Sequence, residues 1–182
     1  MPRLFTAIPL PTDVRQRLVL LQSGLDNVRW VDGSDLHITL KFIGDAGPTQ
    51  AGDIVEALAA RPSKSPPIEV GELAQFGGKN PRSVHATVRP NEALLNLQMA
   101  QETLMLKLGL PREQRKYSPH ITLGRGRGLK PEKVARYLSN HAGLAFGAFK
   151  PDAFCLYSAR DSIGGGPYHP IETFPFERLT EA

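Results

Sequence analysis

The 182-residue chain has one cysteine, Cys155, so no intramolecular disulfide can form; this fits a reducing compartment. No apolar run approaches the roughly 20 residues of a membrane-spanning helix, and the opening MPRLFTAIPLP lacks the apolar stretch of a secretory leader. A cytoplasmic protein without membrane association is the expectation. Metal ligation has no support, because there is no His-Glu-x-x-His, no cysteine pair and no third histidine beside the two that stand out below. Gly164–Gly166 is not followed by a helix start, which a phosphate loop would require, so it reads as a hairpin turn. What is present is ordinary for a folded chain, 41% hydrophobic and 22% charged residues, and long enough to bury a core without staples.

Charge is distributed unevenly. Residues 81–150 carry twelve Lys/Arg against four Asp/Glu, whereas the rest carries ten against fourteen. A basic region of this kind attracts polyanions, phosphate chains foremost. The segment RGRGLKPEK (125–133), with Arg112, Arg115 and Lys116, is a candidate track for an RNA backbone, and its alternative is a solvated basic face.

Periodicity divides the chain into short strands alternating with helices. Strands are expected at Arg3–Ile8, His37–Ile43, Ile68–Phe76, Ser83–Val88, Ser118–Gly124, Ala153–Ala159 and Tyr168–Phe176. Helices are expected after Thr12 as a cap, over Pro48–Ala60, from an Asn91 cap to Leu108, and over Pro131–His141. The pattern strand–helix–strand–helix–strand thus occurs twice, in halves of about 1–80 and 81–160, followed by a C-terminal strand at 167–177. The whole chain, 1–182, is expected to form a single bilobal domain.

The chemistry concentrates in two strands. In LHITLKFIG (36–44), strict alternation sends Leu36, Ile38, Leu40 and Phe42 to the core and His37, Thr39 and Lys41 to the other face. In SPHITLGR (118–125), Ile121 and Leu123 face the core, while Ser118, His120 and Thr122 share the opposite face. A His-x-Thr strand sets a proton-transfer group ~6–7 Å from a hydroxyl donor. Two such strands meeting around a local two-fold would aim two imidazoles at one phosphorus from opposite sides. One could protonate the leaving oxygen while the other deprotonates the entering one. The threonines could hold the non-bridging oxygens.

These residues resemble the 2H phosphoesterase superfamily, named for its paired His-x-Thr motifs, and more narrowly its RNA 2′,3′-cyclic phosphodiesterase (bacterial 2′-5′ RNA ligase) branch. RLFTAIPLP, Trp30 before LHITLKFIG, YSPHITLGR and FCLYSARDS…GPYHPIETFPF carry the resemblance over nearly the whole chain. It implies an α+β fold of two pseudo-symmetric lobes, each an antiparallel sheet with helices packed outside, around a central cleft. It implies hydrolysis of a 2′,3′-cyclic phosphate at an RNA end, possible tRNA fragments included, to a 2′-phosphate. His37 would be the proton donor and His120 the proton acceptor, with no cofactor. ATP-independent 2′-5′ ligation at the same site, or an idle RNA-binding module, are the alternatives. A monomer is expected.

Arg125 and Lys41 are secondary candidates for phosphate binding. Arg125 falls on the face opposite His120 unless the chain bends at Gly124 or Gly126; Lys41 falls on the right face but toward the cleft margin. Tyr168, His169 and Phe76 could stack on a base, or simply pack. His85 and His141 lack a threonine partner and read as structural.

Overall fold

The computed structural model describes residues 3–162 and 164–178. Among them are nine strands, β1 (Arg3–Pro9), β2 (Val28–Trp30), β3 (His37–Asp45), β4 (Ile68–Phe76), β5 (Ser83–Val88), β6 (His120–Gly126), β7 (Ala148–Phe149), β8 (Ala153–Ser158) and β9 (His169–Pro175). The four α-helices are α1 (Thr12–Val19), α2 (Pro48–Ala59), α3 (Glu92–Lys107) and α4 (Pro131–Asn140). Asn91 caps α3 by accepting from the Leu94 amide at 2.8 Å. Thr12 does not cap α1: Pro11 takes that position without a side-chain bond, and the Thr12 hydroxyl instead accepts from Arg15.

The strands form two antiparallel sheets, ordered β3-β1-β8-β9 and β2-β6-β5-β4-β7. Neither sheet is built from one half of the chain. In each half the first two strands of the repeat pair with one another, β1 with β3 and β5 with β6. The third strand crosses to the other sheet: β4 pairs with β5, and β8 with β1. The helices between paired strands also cross. Helix α3, which joins β5 to β6, lies against the first sheet, where Gln101 accepts from the buried Thr6 hydroxyl and Glu102 pairs with Lys41. Helix α1 joins β1 to β3, yet Gln22 just beyond it donates to the Leu123 carbonyl of the second sheet, and Tyr137 of α4 donates to Leu21. The exchange makes each lobe depend on both halves.

Apolar burial fixes the two histidine strands in place. Ile38 and Leu40 of β3, and Ile121 and Leu123 of β6, are at most 2% exposed. Truncating any one of them would cost about 2–5 kcal/mol, so each His-Ile-Thr-Leu segment is anchored by its apolar half.

The Lys41–Glu102 contact is a buried charge pair joining the two halves of the chain, N to O at 2.8 Å with side chains 3% and 15% exposed. Glu102→Gln leaves the ammonium without its counter-charge. The expected loss is about 3 kcal/mol, read as a lower midpoint in urea unfolding; an unchanged midpoint would show the pair to be energetically neutral.

Candidate active site

Both histidines are held by the same local device. His37 Nδ1 lies 2.7 Å from the carbonyl of Asp35, and His120 Nδ1 lies 2.7 Å from the carbonyl of Ser118, two residues earlier in each case. A carbonyl only accepts, so Nδ1 carries the proton and Nε2 keeps its lone pair in the neutral ring. Beyond that the two differ. His37 Nε2 lies 3.0 Å from the Thr39 hydroxyl and the ring packs against Phe5, Tyr157 and Tyr168 at centroid distances of 5.1, 6.3 and 5.2 Å. His120 packs against Phe76 at 4.8 Å and His85 at 5.1 Å.

A bulge in each strand redirects the side chains beyond the threonine. On β3, Thr39 pairs with Ala7 and Lys41 with Thr6, so Leu40 has no partner. On β6, Thr122 pairs with His85 and Gly124 with Val84, so Leu123 has none. The same residue of the same tetrapeptide is the extra one in both lobes. Its carbonyl on β6 accepts from the Val31 amide at 2.8 Å and from Gln22 at 3.0 Å. An inserted residue reverses the alternation beyond it. Arg125 is therefore carried to the cleft side, the bend lying one residue before Gly124. Phe42, assigned to the core by strict alternation, is 59% exposed instead. Lys41 is turned out of the row of His37 and Thr39: it is 4% exposed, and its ammonium is bound to Glu102 and the Pro111 carbonyl. Lys41 also lines the cleft, with its charge paired to Glu102 of α3.

The cleft between the sheets holds a cavity of about 620 Å³, whose wall includes Thr39, Phe42, Phe76, Arg82, His120 and Arg125. Arg115 and Lys116 join that wall, with Glu113 as its acidic member. His37 is not in the wall, but the Thr39 hydroxyl it bonds to is. Tyr117 ties the rim to β3 by donating to the Thr39 carbonyl at 2.8 Å. A cavity of this size accommodates a nucleotide.

Electrostatics keep both imidazoles neutral. Burial pushes His37 down to about 4, the Arg125 and His120 charges push the same way, and the Asp35 carbonyl opposes them. His120 is lowered as well, by burial first and then by Arg125, against the Ser118 carbonyl. Arg125 thus acts on both histidines, which places its charge between the lobes.

Of the remaining aromatic and histidine candidates, Tyr168 and Phe76 pack on His37 and His120. His169 pairs with Asp161 at 2.9 Å, and His141 lies against Tyr137. The Gly164–Gly166 turn joins antiparallel β8 and β9. Gly166 has φ +104, and a Cβ there would come within 2.5 Å of the Asp35 carboxylate, so only glycine lets the turn close on the residue that orients His37. His85, which the sequence pattern marks as structural, is buried directly behind His120. It pairs with Thr122 and touches His120.

Two antiparallel sheets displaying matched His-x-Thr strands across a basic cleft define a two-histidine phosphoesterase fold. The sequence profile described as LigT-like phosphoesterase matches residues 8–85 and 87–168, and the chain belongs to that family. An RNA 2′,3′-cyclic phosphodiesterase of Bacillus subtilis is 32% identical over 130 residues, 68% of this chain and 71% of its own length. The namesake of Geobacillus stearothermophilus is 34% identical over 128 residues, 66% of this chain but 41% of its own length. Among solved structures, TT0787 of Thermus thermophilus superposes with a TM-score of 0.80 at 24% identity, over 96% of this chain and 97% of its own. E. coli LigT complexed with 3′-AMP superposes at 0.78 and 21% identity, over 98% and 100%. No helix among the described residues is long and apolar enough to cross a membrane.

Proposed function

We propose that the chain hydrolyses 2′,3′-cyclic phosphate ends of RNA to 2′-phosphates, with His37 as proton donor and His120 as proton acceptor. One observation carries this reading: both histidines donate through Nδ1 to a carbonyl two residues back, leaving two Nε2 atoms for proton transfer on strands that face one cleft. The curated relatives bearing the name RNA 2′,3′-cyclic phosphodiesterase support the substrate class. Water attacks phosphorus and gives a proton to His120 Nε2. His37, neutral in the free protein, enters this step protonated on both ring nitrogens, a state the bound phosphodiester anion favours; the P–O3′ bond breaks, O3′ takes the proton from His37 Nε2, and the phosphate remains on O2′. Thr39, Thr122 and Arg125 stabilise the non-bridging oxygens. Lys41 contributes by holding β3 to α3.

The test is incubation of metal-free protein with an oligonucleotide ending in a 2′,3′-cyclic phosphate. A 2′-phosphate product is expected. A 3′-phosphate would reverse the assignment of the leaving oxygen, and an untouched substrate would leave only RNA binding. Adding a strand with a 5′-hydroxyl asks whether a ribose oxygen can replace water, giving a 2′-5′ junction.

A further inference from the structure

The two histidines are not held equally. His37 has a hydrogen bond at each ring nitrogen, to Asp35 and to Thr39. His120 is held through Nδ1 by the Ser118 carbonyl. Two rings support it further: Phe76 and His85 stack with centroids 4.1 Å apart and planes 22° from parallel. Both meet His120 steeply, at 79° and 63°. His85 is 4% exposed, and its Nδ1 is buried without a hydrogen-bond partner among the described residues.

We propose that His85, stacked on Phe76, is a positioning residue for His120, a flat wall that sets the rotation of the acceptor imidazole and keeps water from its flank. This rests on the reading of His120 as the acceptor. A histidine at this place, rather than a long aliphatic side chain, supplies a planar face for Phe76 and an edge for His120. Register puts it there, since His85 is the cross-strand partner of Thr122, two residues beyond His120 on the same face. The titratable and charged groups influencing this corner are His120, His37 and Arg125; His85 itself is held neutral by burial and by its histidine neighbour, lowered to about 4. A neutral ring beside the acceptor neither competes for its proton nor adds charge. An interaction that aligns the acceptor changes kcat, whereas one that holds substrate changes KM.

His85→Ala is expected to lower kcat about tenfold with KM within about twofold. Water reaching the exposed flank relieves the desolvation of His120, so its titration midpoint moves up. His85→Phe restores the wall and is expected to return kcat to within about threefold of wild type, with the midpoint unmoved. Should His85→Ala fail to fold, Phe76→Ala removes the outer ring from a strand end and is expected to move kcat and the midpoint in the same directions. The His120 midpoint is read by NMR titration without substrate, so it tests the wall even if the cyclic phosphodiesterase reading fails. That failure would show separately, as wild type inactive or His120→Ala fully active. An unmoved midpoint and kcat in a folded His85→Ala, or His85→Phe as impaired as His85→Ala, overturns the proposal.

Discussion

Replacing His120 with alanine is expected to lower turnover of a 2′,3′-cyclic phosphate about 10³-fold while RNA binding stays within a few-fold of wild type. The magnitude follows from the chemistry. Water is a poor nucleophile until its proton has somewhere to go, and His120 Nε2 is the lone pair left available by the bond from Nδ1 to Ser118. His37→Ala removes the proposed donor to the leaving oxygen and is expected to cost a similar factor. The double substitution should be little worse than either single one, because acid and base serve one transition state and their effects do not add. Single-turnover rates on a cyclic-phosphate oligonucleotide, with binding followed by anisotropy, check all three. Full activity in either single variant would end the paired acid–base reading. A loss confined to binding would assign the histidines to holding substrate instead.

The strands and helices were legible in the chain because their periods are local. β4 and β5 begin and end where alternation and the following breakers place them, and α3 starts at the Asn91 cap. Pairing is a different kind of information. Nothing within Ile68–Phe76 says that it will lie beside β5 rather than beside β1, since the side-chain pattern reports which face is apolar but not which neighbour completes the ladder. The crossed strands β4 and β8 were therefore invisible, although the repeat that generates them was not. β2 and β7, of three and two residues, are too short to show any period.

The site divides in the same way. His37, Thr39, His120 and Thr122 declare themselves by a repeated tetrapeptide whose apolar half must be buried. The bulges do not, because an unpaired residue is a property of two strands, and only the partner's register exposes it. Phe42, Lys41 and Arg125 all lie beyond the bulged leucine, and there strict alternation misassigned Phe42 and Lys41 and put Arg125 on the far face. The contact of His85 with His120 was hidden for a related reason. It crosses between strands 35 residues apart, and no motif joins them.

Arg125→Met is expected to lower turnover about 10²-fold and to move the kcat/KM profile toward higher pH. The first effect is loss of the guanidinium that faces the cleft, where the proposed mechanism puts the phosphate. The second has a definite sign. In the free protein both histidines sit below the ordinary imidazole value of 6.5, His37 at about 4. Arg125 contributes to lowering each of them, because a cation nearby disfavours a second one. Removing it raises both, so both limbs of the bell shift upward together. The two limbs belong to the coupled pair rather than to one residue each. Substrate acts in the same direction as the substitution. The phosphodiester anion offsets Arg125 and favours the protonated His37 that must donate to O3′, so the kcat profile, which reports the bound state, should lie above the kcat/KM profile in wild type. In Arg125→Met the kcat/KM limbs should approach the wild-type kcat limbs, since the cation the substrate offset is gone. A kcat/KM profile that stays in place while turnover falls would confine Arg125 to gripping phosphate and remove it from the control of either proton.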